Sequence, residues 1–94
     1  MIVKIFGKPD CALCKTTKNK WYFLLQQLDL LPDVKLIFFD LDTVDGLTEG
    51  AFYAVTTMPT TVLENGGEII SRWDGVIPPT EGIQNALQNY QDAN

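Results

Sequence analysis

The sequence contains no histidine, only two cysteines and no long hydrophobic run. Because zinc sites usually take four Cys or His ligands, one such chain cannot build a zinc site from these residue types alone. The longest apolar runs, residues 21–25 and 36–39, are far shorter than the roughly 18–20 residues that cross a bilayer, which excludes a membrane-spanning segment. Seven Lys and Arg against twelve Asp and Glu give a net charge of −5, the wrong sign for binding nucleic acid phosphates.

The chain length of 94 residues predicts a single domain covering residues 1–94. A domain of this size buries enough surface to fold without disulfide staples, which leaves the two cysteines free for chemistry. Met1 leads directly into an apolar segment, without the basic region and small-residue cleavage site of a signal peptide. We therefore expect a cytoplasmic location, where a close cysteine pair serves redox or metal chemistry more often than structure.

The first half of the chain alternates strand and helix patterns. Residues 2–6 and 34–40 are apolar and rich in β-formers, which predicts two buried strands. The second run is so continuously apolar that we expect helices on both faces of the sheet. An amphipathic helix is predicted to run from Cys11 to the proline at position 32, because residues recur at steps of three and four along one stripe: Cys14, Thr17, Trp21, Leu24, Leu28 and Leu31.

A shorter helix and a hairpin follow. The segment 43–55 predicts a short helix, because its apolar residues recur at helical spacing: Val44, Leu47, Ala51 and Ala54 or Val55. Gly46 and Gly50 weaken this prediction, because glycine has low helix propensity. Residues 60–64 and 68–73 are β-rich runs joined by Asn-Gly-Gly, which is typical of an antiparallel hairpin.

The end of the chain completes the predicted architecture. After two prolines, Thr80 and Glu81 can open a final helix with Ile83, Leu87 and Tyr90 facing inward. Helix crossovers join parallel strands and the glycine turn joins antiparallel ones. The order β-α-β-α-β-β-α therefore predicts an α/β fold in which a mixed four-stranded sheet lies between helix layers.

The segment Cys11-Ala12-Leu13-Cys14 is a CxxC motif at the start of the first helix. The free N–H groups and positive dipole end at that position stabilise a thiolate, so we predict that Cys11 is the nucleophile. Cys14 lies at the top of the buried stripe and should be the more shielded thiol. We predict that Cys11 attacks a substrate disulfide and that Cys14 then resolves the mixed disulfide.

The residues before the motif have two interpretations each. Lys8 precedes Cys11 by three residues and would add a favourable charge for the thiolate, or it is a solvated surface lysine. Asp10 opposes the thiolate, or it caps the helix. The motif itself has alternatives: a metal ion or iron-sulfur cluster shared by two chains, or a non-redox interaction module.

The CxxC after a first strand, this element order and Thr57-Met58-Pro59-Thr60 before the hairpin resemble the thioredoxin superfamily over nearly the whole chain. The resemblance implies a thioredoxin-like fold in which Pro59 has a cis peptide bond and lies against the motif. It also implies that Met58 offers backbone groups to an extended substrate segment. Thioredoxins keep a buried aspartate six residues before the first cysteine, and Ile5 stands there in this chain.

Two subgroups of the superfamily share features with this chain. Residues 5–11, with a lysine three before the motif, resemble glutaredoxins and their small reductase-dependent relatives, whereas residues 58–68 resemble thioredoxins. Glutathione-binding glutaredoxins usually have an acidic pair shortly after the glycine turn, where this chain has Glu68-Ile69-Ile70-Ser71. The resemblance therefore implies a monomeric thiol-disulfide oxidoreductase without metal or other cofactor. It would reduce protein disulfides and be recycled by a flavoprotein disulfide reductase of the thioredoxin-reductase type.

Overall fold

A computed structural model describes residues 1–93 of the chain, with side chains through residue 89. In this part of the chain four strands and three helices follow one another in the predicted order: β1 (Ile2–Gly7), α1 (Ala12–Gln27), β2 (Lys35–Asp40), α2 (Val44–Phe52), β3 (Thr60–Asn65), β4 (Glu68–Asp74) and α3 (Thr80–Ala93). No helix within residues 1–93 is both long and apolar enough to cross a membrane.

The strands form one mixed sheet in the order β2-β1-β3-β4. β1 pairs parallel with β2 and antiparallel with β3, and β3 pairs antiparallel with β4. The β3–β4 connection is the predicted hairpin, in which Asn65 pairs with Glu68 around Gly66 and Gly67. Both glycines have positive φ, 60° and 86°, a backbone conformation that other residues rarely adopt. The predicted mixed sheet is confirmed.

Helices cover both faces of the sheet, as predicted. Side chains alternate along β1, so Val3 and Ile5 face one way and Phe6 faces the other. The first face packs against α1 and α3 in a core that includes Trp21, Leu25, Leu63, Ile83 and Leu87. The second face packs under α2 around Phe6, Tyr53 and Val62. Ile83 and Leu87 thus face inward as expected, and the side chain of Tyr90 lies outside the described residues.

The first helix ends earlier than its sequence pattern predicts. α1 stops at Gln27, and Leu28 is 42% exposed instead of continuing the buried stripe. Asp29 has a φ of 55°, and the N–H of Leu30 donates to the carbonyl of Leu25, which closes the helix before the proline is reached. Leu30 and Leu31 still pack against the core, but from a turn.

The prediction of a buried strand at residues 34–40 is only partly correct, because β2 is an edge strand and its residues after Lys35 are half-buried. α2 forms as predicted, but the apolar residues whose spacing predicted it are not the residues that it buries. Gly46 and Gly50 are its buried residues, whereas Val44 and Leu47 are 79% and 58% exposed. The glycines allow α2 to lie close to the sheet: a Cβ at Gly46 would collide with the main-chain carbonyl of Asp40.

Candidate functional site

A tight turn after β1 sets the position of the first cysteine. The N–H of Cys11 donates to the carbonyl of Lys8 at 3.1 Å, with Pro9 in the second position of the turn, where its fixed φ is favourable. Cys11 then caps α1 with extended backbone angles (φ −85°, ψ 115°). Its Sγ accepts a hydrogen bond from the N–H of Cys14 at 3.2 Å. Cys11, not Asp10, is therefore the N-cap, and the helix-cap interpretation of Asp10 is wrong.

The two cysteines are bonded to each other as a disulfide, with their Cα atoms 5.2 Å apart. Cys14 is fully buried, while Cys11 is partly exposed, so solvent reaches one sulfur-bearing residue more easily than the other. No acidic residue lies in the first turn of α1, and the acidic residue beside the N-cap is Asp10, directly before Cys11. Within residues 1–93, no three His, Cys, Asp or Glu side chains group together as a metal site.

Gly7 at the end of β1 allows Cys14 to pack beneath the sheet edge. A Cβ at Gly7 would lie 2.8 Å from the Cβ of Cys14, closer than packed side chains approach, and it would also meet the sulfur. The predicted burial of Cys14 therefore depends on a missing side chain in the neighbouring strand.

The pairing of β1 with β3 brings Pro59 to the same place. Phe6 pairs with Thr60 in this antiparallel ladder. One residue after Phe6 and one residue before Thr60, Gly7 and Pro59 therefore lie opposite each other, beside Cys14. The Met58–Pro59 peptide bond is cis, as the resemblance implies. The carbonyl of Pro59 accepts from the N–H of Gly75 at 2.8 Å, which anchors this segment to the end of β4.

Met58 has the exposure that a substrate-binding position needs. Its side chain is 39% exposed, and its N–H and C=O make no hydrogen bond with any of residues 1–93. Unpaired backbone groups at an exposed position can pair with an extended peptide. The substrate-binding roles of Met58 and Pro59 stay predictions.

Lys8 lies in the turn before Cys11, but its ammonium is engaged elsewhere. Its Nζ lies 3.2 Å from Asp42 Oδ1, and the two side chains are 40% and 62% exposed. An exposed ion pair of this kind contributes little energy. The tuning of the Cys11 thiolate by Lys8 stays a prediction.

A buried charge network on the second face of the sheet was missed at the sequence level. Lys4 Nζ lies 3.1 Å from Glu64 Oε1, 3.3 Å from Glu49 Oε2 and 2.9 Å from the Tyr53 hydroxyl. Tyr53 donates in turn to Glu64 Oε2. The available signal was a lysine inside an apolar strand, which rarely becomes buried unless it is paired. Its partners are 45 to 60 residues away in the sequence, beyond the reach of any local pattern.

The network shifts the pKa values of Lys4, Glu64 and Tyr53. Burial lowers the pKa of Lys4, but hydrogen bonds with Tyr53, Glu64 and Glu49 outweigh burial and raise it. Burial raises the pKa of Glu64, but hydrogen bonds with Tyr53 and Lys4 lower it overall. Burial and the Glu64 carboxylate raise the pKa of Tyr53. Lys4 and Glu64 are therefore both charged at neutral pH.

The strand order, the CxxC at the start of the first helix and the cis proline before β3 together define a protein of the thioredoxin fold.

Solved structures agree with this class. Thioredoxin 1 from Thermosipho africanus superposes with a TM-score of 0.78 at 18% identity, over 99% of this chain and 97% of that chain. Mitochondrial thioredoxin 3 from Saccharomyces cerevisiae in its oxidized form gives a TM-score of 0.71 at 25% identity, over 94% and 76%. Fasciola hepatica thioredoxin gives 0.71 at 25%, over 94% and 78%. No protein-family model and no curated protein matches the chain. By its fold, the chain belongs to the thioredoxin superfamily.

Proposed function

We propose that this protein is a thiol-disulfide oxidoreductase that reduces protein disulfides by exchange at Cys11 and Cys14. The observation that carries the proposal is the Cys11–Cys14 disulfide at the N-terminus of α1, with Cys11 partly exposed and Cys14 fully buried. In the reduced protein the N–H of Cys14 and the helix N-terminus stabilise negative charge on Cys11. Exposure and charge therefore favour the same sulfur as the nucleophile.

The reaction consists of two exchanges at sulfur. The Cys11 thiolate attacks one sulfur of the substrate disulfide, which forms a mixed disulfide and expels the other substrate sulfur as a thiolate. Cys14 then loses its proton and attacks Cys11 Sγ, which expels the second substrate thiolate and forms the Cys11–Cys14 bond. Two electrons pass from the cysteine pair to the substrate, and the two thiolates released take up two protons.

Recycling needs an external dithiol that attacks Cys11 and returns two electrons. We assign this step to a flavoprotein disulfide reductase of the thioredoxin-reductase type in the cytoplasm. Shortly after the glycine turn, where glutathione-binding glutaredoxins usually have an acidic pair, this chain has Glu68-Ile69-Ile70-Ser71, in which Ile69 and Ile70 are 50% and 37% exposed. A single carboxylate followed by two apolar side chains replaces that pair, which supports a donor other than glutathione.

The test compares two cysteine variants with the native protein. Cys11→Ser should abolish reduction of insulin by dithiothreitol above the uncatalysed rate, because the nucleophile is gone. Cys14→Ser should accumulate a mixed disulfide between Cys11 and the substrate, which intact-protein mass spectrometry detects. Ala51→Ser on the exposed side of α2 adds a serine far from the motif and is the matched control.

Activity retained in Cys11→Ser would refute the assignment of the nucleophile. A protein that binds iron or zinc at its cysteines when purified under reducing conditions, with no insulin reduction, would favour the shared metal site instead. Rapid recycling by glutathione and glutathione reductase, without thioredoxin reductase, would overturn the proposed electron donor.

A further inference from the structure

A groove of about 440 Å³ lies between α1 and the edge strand β2, and Met58 and Pro59 are not among the residues that line it. Leu31, Pro32, Leu36 and Phe38 form apolar walls, and Lys18 and Lys35 stand at its margins. Lys18 Nζ lies 5.6 Å above the ring of Phe38. A groove of this size and character suits a ligand with apolar side chains and negative charge.

The backbone of β2 supplies hydrogen-bonding groups along the groove. In a parallel pair, alternate residues direct their N–H and C=O groups to the same neighbour. Lys35 and Leu41 donate to the carbonyls of Met1 and Gly7, at 3.1 and 2.9 Å, so odd-numbered residues face β1. The N–H and C=O groups of Leu36 and Phe38 therefore point to the open edge of the sheet, where an added strand would pair with them.

Lys18 and Lys35, the two lysines that line the groove, form no ion pair within residues 1–93, although the protein as a whole is acidic, with a net charge of −5. Among residues 1–93, Lys4, Lys8 and Arg72 form ion pairs and Lys20 donates to the carbonyl of Pro78. Of the lysines that form no ion pair in this part of the chain, Lys18 and Lys35 line the groove. A local excess of positive charge on an acidic protein attracts a segment with carboxylates.

By helical spacing, the α1 residues of the groove lie on the same face of the helix as the nucleophile. Cys11, Lys15, Lys18 and Tyr22 follow one another at steps of four, three and four residues, which sets them on the same side of α1. Lys15, Lys18 and Tyr22 are exposed. At 1.5 Å per residue, the distance from Cys11 to Tyr22 along the helix is roughly 16 Å, which about five residues of extended chain can span.

We propose that this groove docks an extended, acidic and apolar segment of the substrate protein, which pairs with the open edge of β2 while its disulfide reaches Cys11. The proposal rests on the proposed function and names the class of substrate that the site prefers. Apolar side chains of the segment pack on Leu36 and Phe38, and its carboxylates lie near Lys18 and Lys35.

The test uses the Cys11→Ser/Cys14→Ser protein, in which binding is measured without exchange. The probe is a fluorescein-labelled peptide, Glu-Thr-Val-Thr-Val-Thr-Glu, followed by fluorescence anisotropy. Lys18→Glu should weaken its binding by about tenfold, because an attraction becomes a repulsion. The matched control is Gln84→Glu/Gln88→Glu on exposed positions of α3, which changes the net charge equally and should leave binding unchanged. The same peptide with Lys for Glu should bind at least tenfold more weakly.

Two N-methylated peptides test the pairing with β2. Methyl groups on odd-numbered or on even-numbered peptide nitrogens remove alternate donors, and one of the two series should lose binding while the other keeps it. Equal binding of both series, or equal effects of Lys18→Glu and the α3 control, would overturn the proposal. Peptide binding without insulin reduction by the native protein would refute the proposed function alone, whereas insulin reduction without peptide binding would refute the docking site alone.

Discussion

Removal of Lys4 tests the buried charge network directly. The side chains of Lys4 and Glu64 are only 13% and 10% exposed, so water and salt screen their interaction weakly. Lys4→Met keeps most of the alkyl chain but removes the ammonium. Glu64 then lies buried with a hydrogen bond from Tyr53 and without its counterion.

We expect Lys4→Met to lower the free energy of unfolding by about 3 kcal/mol at neutral pH. Removing one partner of a buried pair costs about 3–5 kcal/mol. The lower end applies because Tyr53 still donates to Glu64 and because Glu49 is 37% exposed and can be hydrated. For a domain of this size each kcal/mol lowers Tm by about 4–8 °C, so Tm should fall by roughly 12–24 °C.

The pH dependence separates this explanation from a simple packing defect. In the native protein the pKa of Glu64 lies below its ordinary value of 4.5, so its contribution to stability is present above that pH and is lost as the pH falls. In Lys4→Met, burial without a counterion raises the pKa of Glu64 above its unfolded value. The folded variant then binds more protons than the unfolded chain, and its stability should increase as the pH falls from neutral toward 4.5.

Urea unfolding followed by tryptophan fluorescence, at about pH 5 and pH 8, measures both effects. The double variant Lys4→Met/Glu64→Gln should recover most of the loss, because neither charge is left buried alone. A loss below about 1 kcal/mol would show that the pair behaves like an exposed one. A loss that is independent of pH, or a double variant no more stable than the single one, would refute the electrostatic explanation.

Two further substitutions test packing. Gly46→Ala should destabilise the fold by about 1–3 kcal/mol, because the new Cβ collides with the carbonyl of Asp40. Gly82→Ala, whose Cβ would lie 3.3 Å from Pro79 Cγ, should be neutral or gain up to about 1 kcal/mol from helix propensity; equal Tm values for the two variants would contradict the steric argument. Thr61→Val should gain about 1 kcal/mol in urea unfolding, because Thr61 Oγ1 is buried without a hydrogen-bond partner among residues 1–93, and a loss of that size would disprove this.

The order and type of the elements could be predicted because local signals agree with the tertiary structure. The Asn-Gly-Gly turn needs positive φ at two positions, which Gly66 and Gly67 provide at no steric cost. The three- and four-residue steps through Cys14, Thr17 and Trp21 produce a stripe that is fully buried. Both features depend on residues that are close together in the sequence, so they can be recognised from a local sequence pattern.

The errors occur where a distant contact decides the result. Leu28 fits the helical stripe, but the chain leaves the helix there to direct Leu30 and Leu31 into the core. The glycines of α2 weaken its helix propensity, yet they are its packing face because Asp40 and Leu41 occupy the space of a side chain. Helix propensity describes the stability of an isolated helix. In the folded protein, close packing of α2 against the sheet requires residues without side chains at these positions.

The site was predictable to the extent that it depends on spacing along one helix. Helical spacing predicts that a cysteine at the N-cap is more exposed than one three residues later on the buried stripe, and Cys11 and Cys14 differ in this way. The ion pair of Lys8 with Asp42 was not predictable, because it joins the turn before α1 to the loop after β2. The same limit applies to the hydrogen bond between Pro59 and Gly75.

The face on which each buried group lies constrains the proton transfer from Cys14. Gly7 and Ile5 share the face of β1 that packs against α1, and Cys14 lies on that face. Among residues 1–93 Glu64 is the buried carboxylate, and it pairs with Lys4 on the opposite face, under α2. The sheet thus separates Glu64 from Cys14, and Ile5 offers no proton acceptor. In the proposed reaction the proton of Cys14 must therefore pass to water or to the substrate thiolate released in the first exchange, both of which reach the site through the exposed side of Cys11.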